Sequence, residues 1–515
     1  MSAIITEQFR ILSANNFRAG IASTSSSYYV WVGLPNATNV STTWNTSPPA
    51  PIDSFNQQNR YWDTMMALKK ITSTDIRRVV SKYKWVSGEK YDMYRNDYSR
   101  NNLAPVSSAT SLYNAKYYII NKDYRVYICL QNGTSPENPS GKPTLDEPLF
   151  TDLEPRAAGS SGDGYVWKYL YTLTPSDILR FDSTNFIPVP EDWATDSTNA
   201  AVRDNAATSG QLKIVTIGDR GTGYGTATPY NNVNILGDGT GAKASVTVNA
   251  DGKLESIDVS KGGSEYSFGT VDLDGSGITN SSASTDAVTN VIIPPTGGHG
   301  ADIYNELGAR KVMVYSRLEN DDTNPDFITG NEFARIGIVK DPLIYGSSTK
   351  LSSTKASGVY ALKVSADSLS EIEFIADDVI TQTVGLGSTA IGRVIAWDST
   401  TGVLKYWQDI QVATSSTVGT NPTFGYELLR FQNTHDGNGS FNITGGTATV
   451  AIDTSFSGIS TVLNSKTYFL GQTFDKGTSN PEVKRQSGEI IYVDNRPSVL
   501  RSSNQKEDIK IVLEF

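Results

Sequence analysis

The feature that most constrains this chain is a change of character that happens twice. Up to about residue 207 the sequence is mixed and rich in aromatics. Near residue 208 glycine, valine, threonine and aspartate take over, and the mixed character returns with Lys311-Val312-Met313-Val314-Tyr315. A second β-rich stretch follows from about 346 to 475, and the last forty residues resemble the first part again. A chain of 515 residues exceeds what one core serves. The pattern therefore predicts a base interrupted by two inserts. The segments are 1–207, 298–345 and 476–515 for the base, 208–297 for a glycine-rich β insert, and 346–475 for a second. The expected fold class is α+β, mostly β: a multi-domain, β-sandwich-like base with two inserted all-β domains.

The final residues support that scheme. Ile509, Ile511, Leu513 and Phe515 alternate with Asp508, Lys510 and Glu514, as in a half-buried strand, with Val512 the one apolar exception. This strand is expected to close the base, with Asp494 to Pro497 forming a turn that leads towards it. Other strands are expected at Tyr28–Gly33, Tyr117–Ile120, Tyr124–Leu130 and Gly164–Tyr171. Helical spacing is read for Phe55, Trp62, Met65, Met66 and Lys69 behind a cap at Asp53 or Ser54. A second helix is read for Ile76, Val79, Val80 and Tyr83 behind Ser73 or Thr74. Trp62, Met66, Trp167 and Phe515 are expected in the core.

Within the first insert, Asp219-Arg220-Gly221-Thr222-Gly223-Tyr224 returns 42 residues later as Lys261-Gly262-Gly263-Ser264-Glu265-Tyr266. Between them Ala244–Val248, the turn Asp251-Gly252 and Leu254–Val259 read as a hairpin. In the second insert, Ile391–Asp398 and Val403–Trp407 flank the turn Thr400-Thr401-Gly402.

The net charge of −10 argues against nucleic acid as a main partner. Arg77-Arg78 reads as a solvated helix face. The single cysteine, Cys129, has apolar neighbours and reads as a buried small hydrophobe. One cysteine suits a reducing compartment, no run of apolar residues is long enough to span a membrane, and the N-terminus lacks a signal-peptide core. Tyrosines outnumber phenylalanines 26 to 17, which suits wet protein interfaces and strands alike.

Candidate chemistry is sparse. His299 and His435 are the two histidines, each in a glycine- or asparagine-rich loop with no second ligand at metal spacing. Gly237–Lys243 misses the phosphate-loop spacing. Asp272–Gly277 opens like a calcium loop but lacks its later ligands. No catalytic, cofactor or metal residue is assigned, and no small-molecule substrate.

Four segments occur in an order that resembles a known family. They are Ser47-Pro48-Pro49-Ala50-Pro51-Ile52-Asp53-Ser54, Trp62-Asp63-Thr64-Met65-Met66, Gly162–Leu170 and Ser487–Pro497. Together they resemble the gene product eight family, baseplate wedge subunits of T-even-type contractile-tailed phages. The resemblance implies a non-enzymatic virion protein, assembled in the host cytoplasm. It implies a homodimer that contacts other wedge subunits and helps transmit host contact to sheath contraction. It covers the base segments and not the inserts. A tail-fibre-like receptor- or glycan-binding protein is the alternative, resting on Tyr224, Tyr266, Trp397 and Trp407 as exposed platforms. A virion depolymerase has no specific motif behind it.

Overall fold

The computed structural model describes residues 4–35, 42–206, 211–225, 229–281, 284–319, 332–365, 369–385, 388–408, 420–421, 427–434, 441–446, 448–501 and 505–515. The fold is mostly β, built from several separate sheets. Two compact units interleave along the chain. The first holds Met1–Arg18, Ile76–Met313 and Ile511–Phe515; the second holds Ala19–Asp75 and Val314–Lys510.

In the first unit a three-stranded sheet, Tyr118–Ile120, Arg125–Asn132 and Tyr165–Thr172, anchors the larger core. These strands are aromatic and β-branched, residue types that fit a pleated, packed surface. Long irregular segments and the ends of the strands Ile76–Ser81 and Phe186–Pro188 surround the sheet, and their carbonyls need donors. Tyrosine supplies the missing donors. Tyr91, Tyr98, Tyr118 and Tyr165 donate to the carbonyls of Lys84, Met93, Ser81 and Lys142 at 2.7–2.9 Å, and Tyr127 and Tyr171 to those of Phe150 and Pro188. All six rings are buried. The surplus of tyrosine thus serves the interior, where a buried ring can end on an unpaired backbone acceptor.

Asp92 acts in the same way with the opposite polarity. Its buried carboxylate accepts from the backbone of Val106, Ser107 and Lys116 at 2.8–3.2 Å.

Residues 211–293 carry a smaller core. Its four-stranded sheet runs in the order Leu254–Lys261, Lys243–Val248, Tyr230–Gly237, Gly269–Val271, and Val215–Asp219 pairs with Val288–Val291. The Asp251-Gly252 hairpin forms as read, with Gly252 at φ +68°. The repeated glycine-tyrosine motif has a packing basis. Tyr224 and Tyr266 are both buried, and Tyr266 donates to the Ile235 carbonyl at 3.0 Å. A Cβ on Gly221 would sit 2.7 Å from the Tyr224 ring and one on Gly263 2.8 Å from the Tyr266 ring, so each copy's glycine makes room for its own tyrosine.

The second unit has a five-stranded antiparallel sheet in the order Lys355–Ser357, Met65–Ile71, Tyr28–Gly33, Glu332–Lys340, Glu489–Leu500. All six residues of Tyr28–Gly33 are buried, as expected of a continuous apolar run. Trp31 lies opposite Gly337, and a Cβ there would be 2.3 Å from the indole. A second sheet of the unit closes on itself. It runs Val403–Trp407, Ser388–Asp398, Val379–Gly385, Asn442–Gly445, Ala448–Ile452, Tyr360–Ser365, and the last strand pairs back to the first.

Two helices read from spacing are corrected. The helix behind Ser54 ends at Thr64, and Met65, Met66 and Lys69 belong to the strand Met65–Ile71. That strand has a partner on each side, so ladder hydrogen bonds override a weak helical preference. Phe55 opens the helix and is exposed. Ser73–Asp75 is a single 3-10 turn, and Ile76–Ser81 is a strand paired with Phe186–Pro188. Arg77 and Arg78 are therefore not a solvated helix face. Arg78 is buried, its guanidinium 3.2 Å from the Tyr304 ring centroid and bonded to the Glu191 carbonyl at 2.7 Å.

The terminal strand Lys506–Glu514 buries Ile509 and Ile511. Phe515 is half-buried, 5.6 Å from the Phe17 ring, and its amide donates to the Arg310 carbonyl. Trp62, Met66 and Trp167 are core residues.

Candidate functional site

Three of the four resembling segments meet around one buried cation in the second unit. Arg335, on the strand Glu332–Lys340, is 1% exposed. Its guanidinium donates to Asn495 Oδ1 at 3.0 Å and to Thr64 Oγ1 at 2.9 Å. The rings of Tyr61 and Trp44 lie 5.1 and 5.3 Å from it. Asn495 passes the contact on, its Nδ2 donating to the Pro49 carbonyl at 2.9 Å. Tyr61 is in turn held by Ile52, whose carbonyl accepts from its hydroxyl at 3.1 Å. Burial works against the charge of Arg335, and the two side-chain acceptors and two aromatic faces offset it. Beside this centre Asp63 is buried and ion-paired with Arg485.

The last of these segments forms an edge. Residues Asp494–Pro497 are not a turn: they lie inside the strand Glu489–Leu500. The expectation missed a bulge. Asn495 pairs with Arg335 and Val499 with Phe333, so Arg496, Pro497 and Ser498 together oppose Ala334. Proline lacks an amide and suits such a place. The short helix Thr42–Thr46 covers the bulge. Trp44 Nε1 donates to the Arg496 carbonyl and the Ser498 amide to Asn45 Oδ1, both at 2.9 Å.

The fourth segment works in the first unit. The Asp163 carboxylate accepts from the amides of Leu145 and Tyr165 at 2.9 and 3.0 Å, tying the long loop to the aromatic strand. A Cβ on Gly164 would fall 2.7 Å from Gly133 Cα.

The residues screened for chemistry are placed as follows. His299 is buried, with Nδ1 2.6 Å from Glu306 Oε1 and the ring edge-on to Tyr94. Glu306 also accepts from the Gly300 amide at 2.7 Å. His435 lies outside the described residues. Cys129 is fully buried, and burial pushes its thiol well above the usual range, which leaves it unreactive.

Gly237–Lys243 is a strand end and turn in which the Asp238 carboxylate binds the Ser267 amide at 2.9 Å; an acid there opposes phosphate. In Asp272–Gly277 the Asp272 carboxylate folds back on the Gly275 amide at 2.9 Å. Among the described residues no group of three or more His, Cys, Asp or Glu side chains is placed to hold a metal ion.

The four aromatic platform candidates are not exposed faces. Tyr224, Tyr266 and Trp407 are buried. Trp397 is half-buried against Phe374 and donates to the Ile372 carbonyl at 2.9 Å. Exposed apolar side chains lie elsewhere. Ile5, Phe9 and Leu12 form one exposed stripe beginning just ahead of the helix Glu7–Ala22. Val462 and Phe469 are exposed on the hairpin Gly458–Leu463/Lys466–Phe474.

No family model matches the chain. A curated relative is the baseplate wedge protein gp8 of Enterobacteria phage T4, 26% identical over 228 residues. The match covers 39% of this chain and 66% of that protein, just under two thirds of its length.

Proposed function

We propose that this chain is a structural subunit of a contractile-tail baseplate, a wedge protein that joins neighbouring wedge subunits and helps pass the host-contact signal to sheath contraction. The observation that carries this reading is the similarity to a baseplate wedge protein, together with what the resembling segments do. They build the framework: Pro49, Thr64 and Asn495 converge on Arg335, and Asp163 fixes the aromatic strand. Residues that set a fold this way carry a family likeness without any shared active site. The reading is non-enzymatic, in keeping with the likeness to a structural baseplate protein.

Within this reading the chain acts as a homodimer in the virion and assembles in the bacterial host. The stretches 208–297 and 346–475 are additions to a base formed by 1–207, 298–345 and 476–515. The exposed stripe of Ile5, Phe9 and Leu12 and the apolar hairpin around Val462 are surfaces for protein partners.

Coexpression with other wedge proteins of a contractile-tail baseplate tests the reading. A stable complex on size exclusion with light scattering is expected, with the free chain eluting as a dimer. A monomer that joins no complex would contradict it.

A further inference from the structure

A lysine, an asparagine and a carboxylate meet in the first unit. Lys168 stands on the aromatic strand Tyr165–Thr172 and is 2% exposed. Its Nζ donates to the Leu153 carbonyl at 2.7 Å and to Asn205 Oδ1 at 3.2 Å. Neither acceptor carries a charge. Asn205 ends the short helix Ala200–Asn205, and its Nδ2 donates to Glu154 Oε1 at 2.9 Å. The other Glu154 oxygen accepts from Lys213 at 2.9 Å.

The protonation states suit a transfer. Burial pushes the Lys168 ammonium down to about 8, against the pull of Glu306 and Glu154, so a free amine is accessible near neutral pH. Glu154 is held below the usual carboxylate range by Asn205 and Lys213, and is ionised. A buried amine therefore touches a carboxamide whose nitrogen touches a base. These are the groups that acyl transfer from an amide to an amine needs.

We propose that Lys168 and Asn205 join in an intramolecular isopeptide bond, with Glu154 carrying the proton. The free Nζ lone pair attacks Asn205 Cγ, and the Nζ–Cγ bond forms as the carbonyl electrons move onto Oδ1. Glu154 takes a proton from Nζ and gives it to Nδ2. The carbonyl re-forms, the Cγ–Nδ2 bond breaks, and Nδ2 leaves as ammonia. No oxidant, reductant or cofactor enters. Glu154 is 64% exposed and lines a cleft of about 550 Å³ with Lys213 and Val166, which gives ammonia a way out. The bond ties a core strand to a helix across a separation of 37 residues, a cross-link that restricts the unfolded chain.

The test is the intact mass of the denatured full chain, followed by a tryptic map. The expected mass is lower than that of the sequence by one ammonia. A branched peptide should join Lys168 to Asn205, with no cleavage after Lys168. Lys168→Arg and Asn205→Ala should each restore the full mass, and Glu154→Gln should raise the uncrosslinked fraction. Wild-type protein of unaltered mass would overturn the proposal. So would an ammonia deficit in protein that trypsin still cleaves after Lys168, because the loss would then lie elsewhere. Both readouts concern the wild-type chain, so they hold even if a variant fails to fold.

Discussion

Arg335 concentrates the argument at the residue scale. A guanidinium removed from water is costly unless its donors find acceptors, and this one finds Asn495 and Thr64 between two rings. Arg335→Ala removes the cation and leaves those acceptors without their donor. Destabilisation of about 3–5 kcal/mol is expected, by analogy with other buried charged networks broken on one side. Urea titration of the purified variant measures it; a shift within about 0.5 kcal/mol would contradict the account.

A second residue-scale prediction concerns acid. Glu137 receives two hydrogen bonds from Arg220, and this pairing holds its carboxyl down to about 2 from an ordinary 4.5. A depressed carboxyl stabilises the fold above its unfolded pKa and loses that contribution as pH falls through its folded one. The difference in melting temperature between wild type and Glu137→Gln should therefore be largest above about pH 5 and vanish towards about pH 2. The pair is exposed, so the difference is small throughout. A gap that widens in acid would be inconsistent with the pairing.

At the element scale, the Tyr28–Gly33 strand depends on its neighbour's glycine. Gly337→Ala places a methyl 2.3 Å from the Trp31 ring, beside a strand buried along its whole length. A loss of about 1–3 kcal/mol is expected from overpacking, read by the same urea titration. The edge strand Glu489–Leu500 makes a different demand. Its bulge is covered by Trp44 and Asn45, so Trp44→Ala should leave unpaired backbone groups open to other chains. Concentration-dependent light scattering should show association beyond that of the wild type; unchanged scattering would mean that the helix does not guard the edge.

The elements also show what a sequence can reveal. Tyr28–Gly33, the Ile391–Trp407 hairpin and the terminal strand were legible because alternation or a continuous apolar run reports burial directly. Met65–Ile71 was not, because Trp62, Met65, Met66 and Lys69 fit helical spacing, and only the pairing with Tyr28–Gly33 and Lys355–Ser357 decides the matter. Asp494–Pro497 read as a turn for a real reason, since proline and two polar residues do break the ladder; the break is a bulge instead. The Arg335 centre was invisible. Its members lie at positions 44, 61, 64, 335 and 495, and nothing local marks arginine 335 as buried. The Lys168 cluster was hidden likewise. Its one local signal is a lysine inside Gly164-Tyr165-Val166-Trp167-Lys168-Tyr169-Leu170-Tyr171, a charge in an aromatic strand where burial demands a partner.

At the scale of the whole molecule, the chain uses its polar interior to hold itself. Tyrosine hydroxyls satisfy loop carbonyls, aspartates cap loop amides, and the histidine present among the described residues is locked to a glutamate. What remains free is surface, including apolar stripes of the kind that protein partners cover. Such surfaces fit the likeness to a baseplate wedge protein.

If the chain is the baseplate component proposed, it belongs to a tailed particle, and the measurement that tests this most directly is immunogold electron microscopy, with antibodies against this chain, on intact contractile-tailed particles isolated from its source. The account predicts label confined to the baseplate at the distal end of the tail, in extended and contracted particles alike. Label on fibres alone, or none on particles that contain the chain by mass spectrometry, would contradict it.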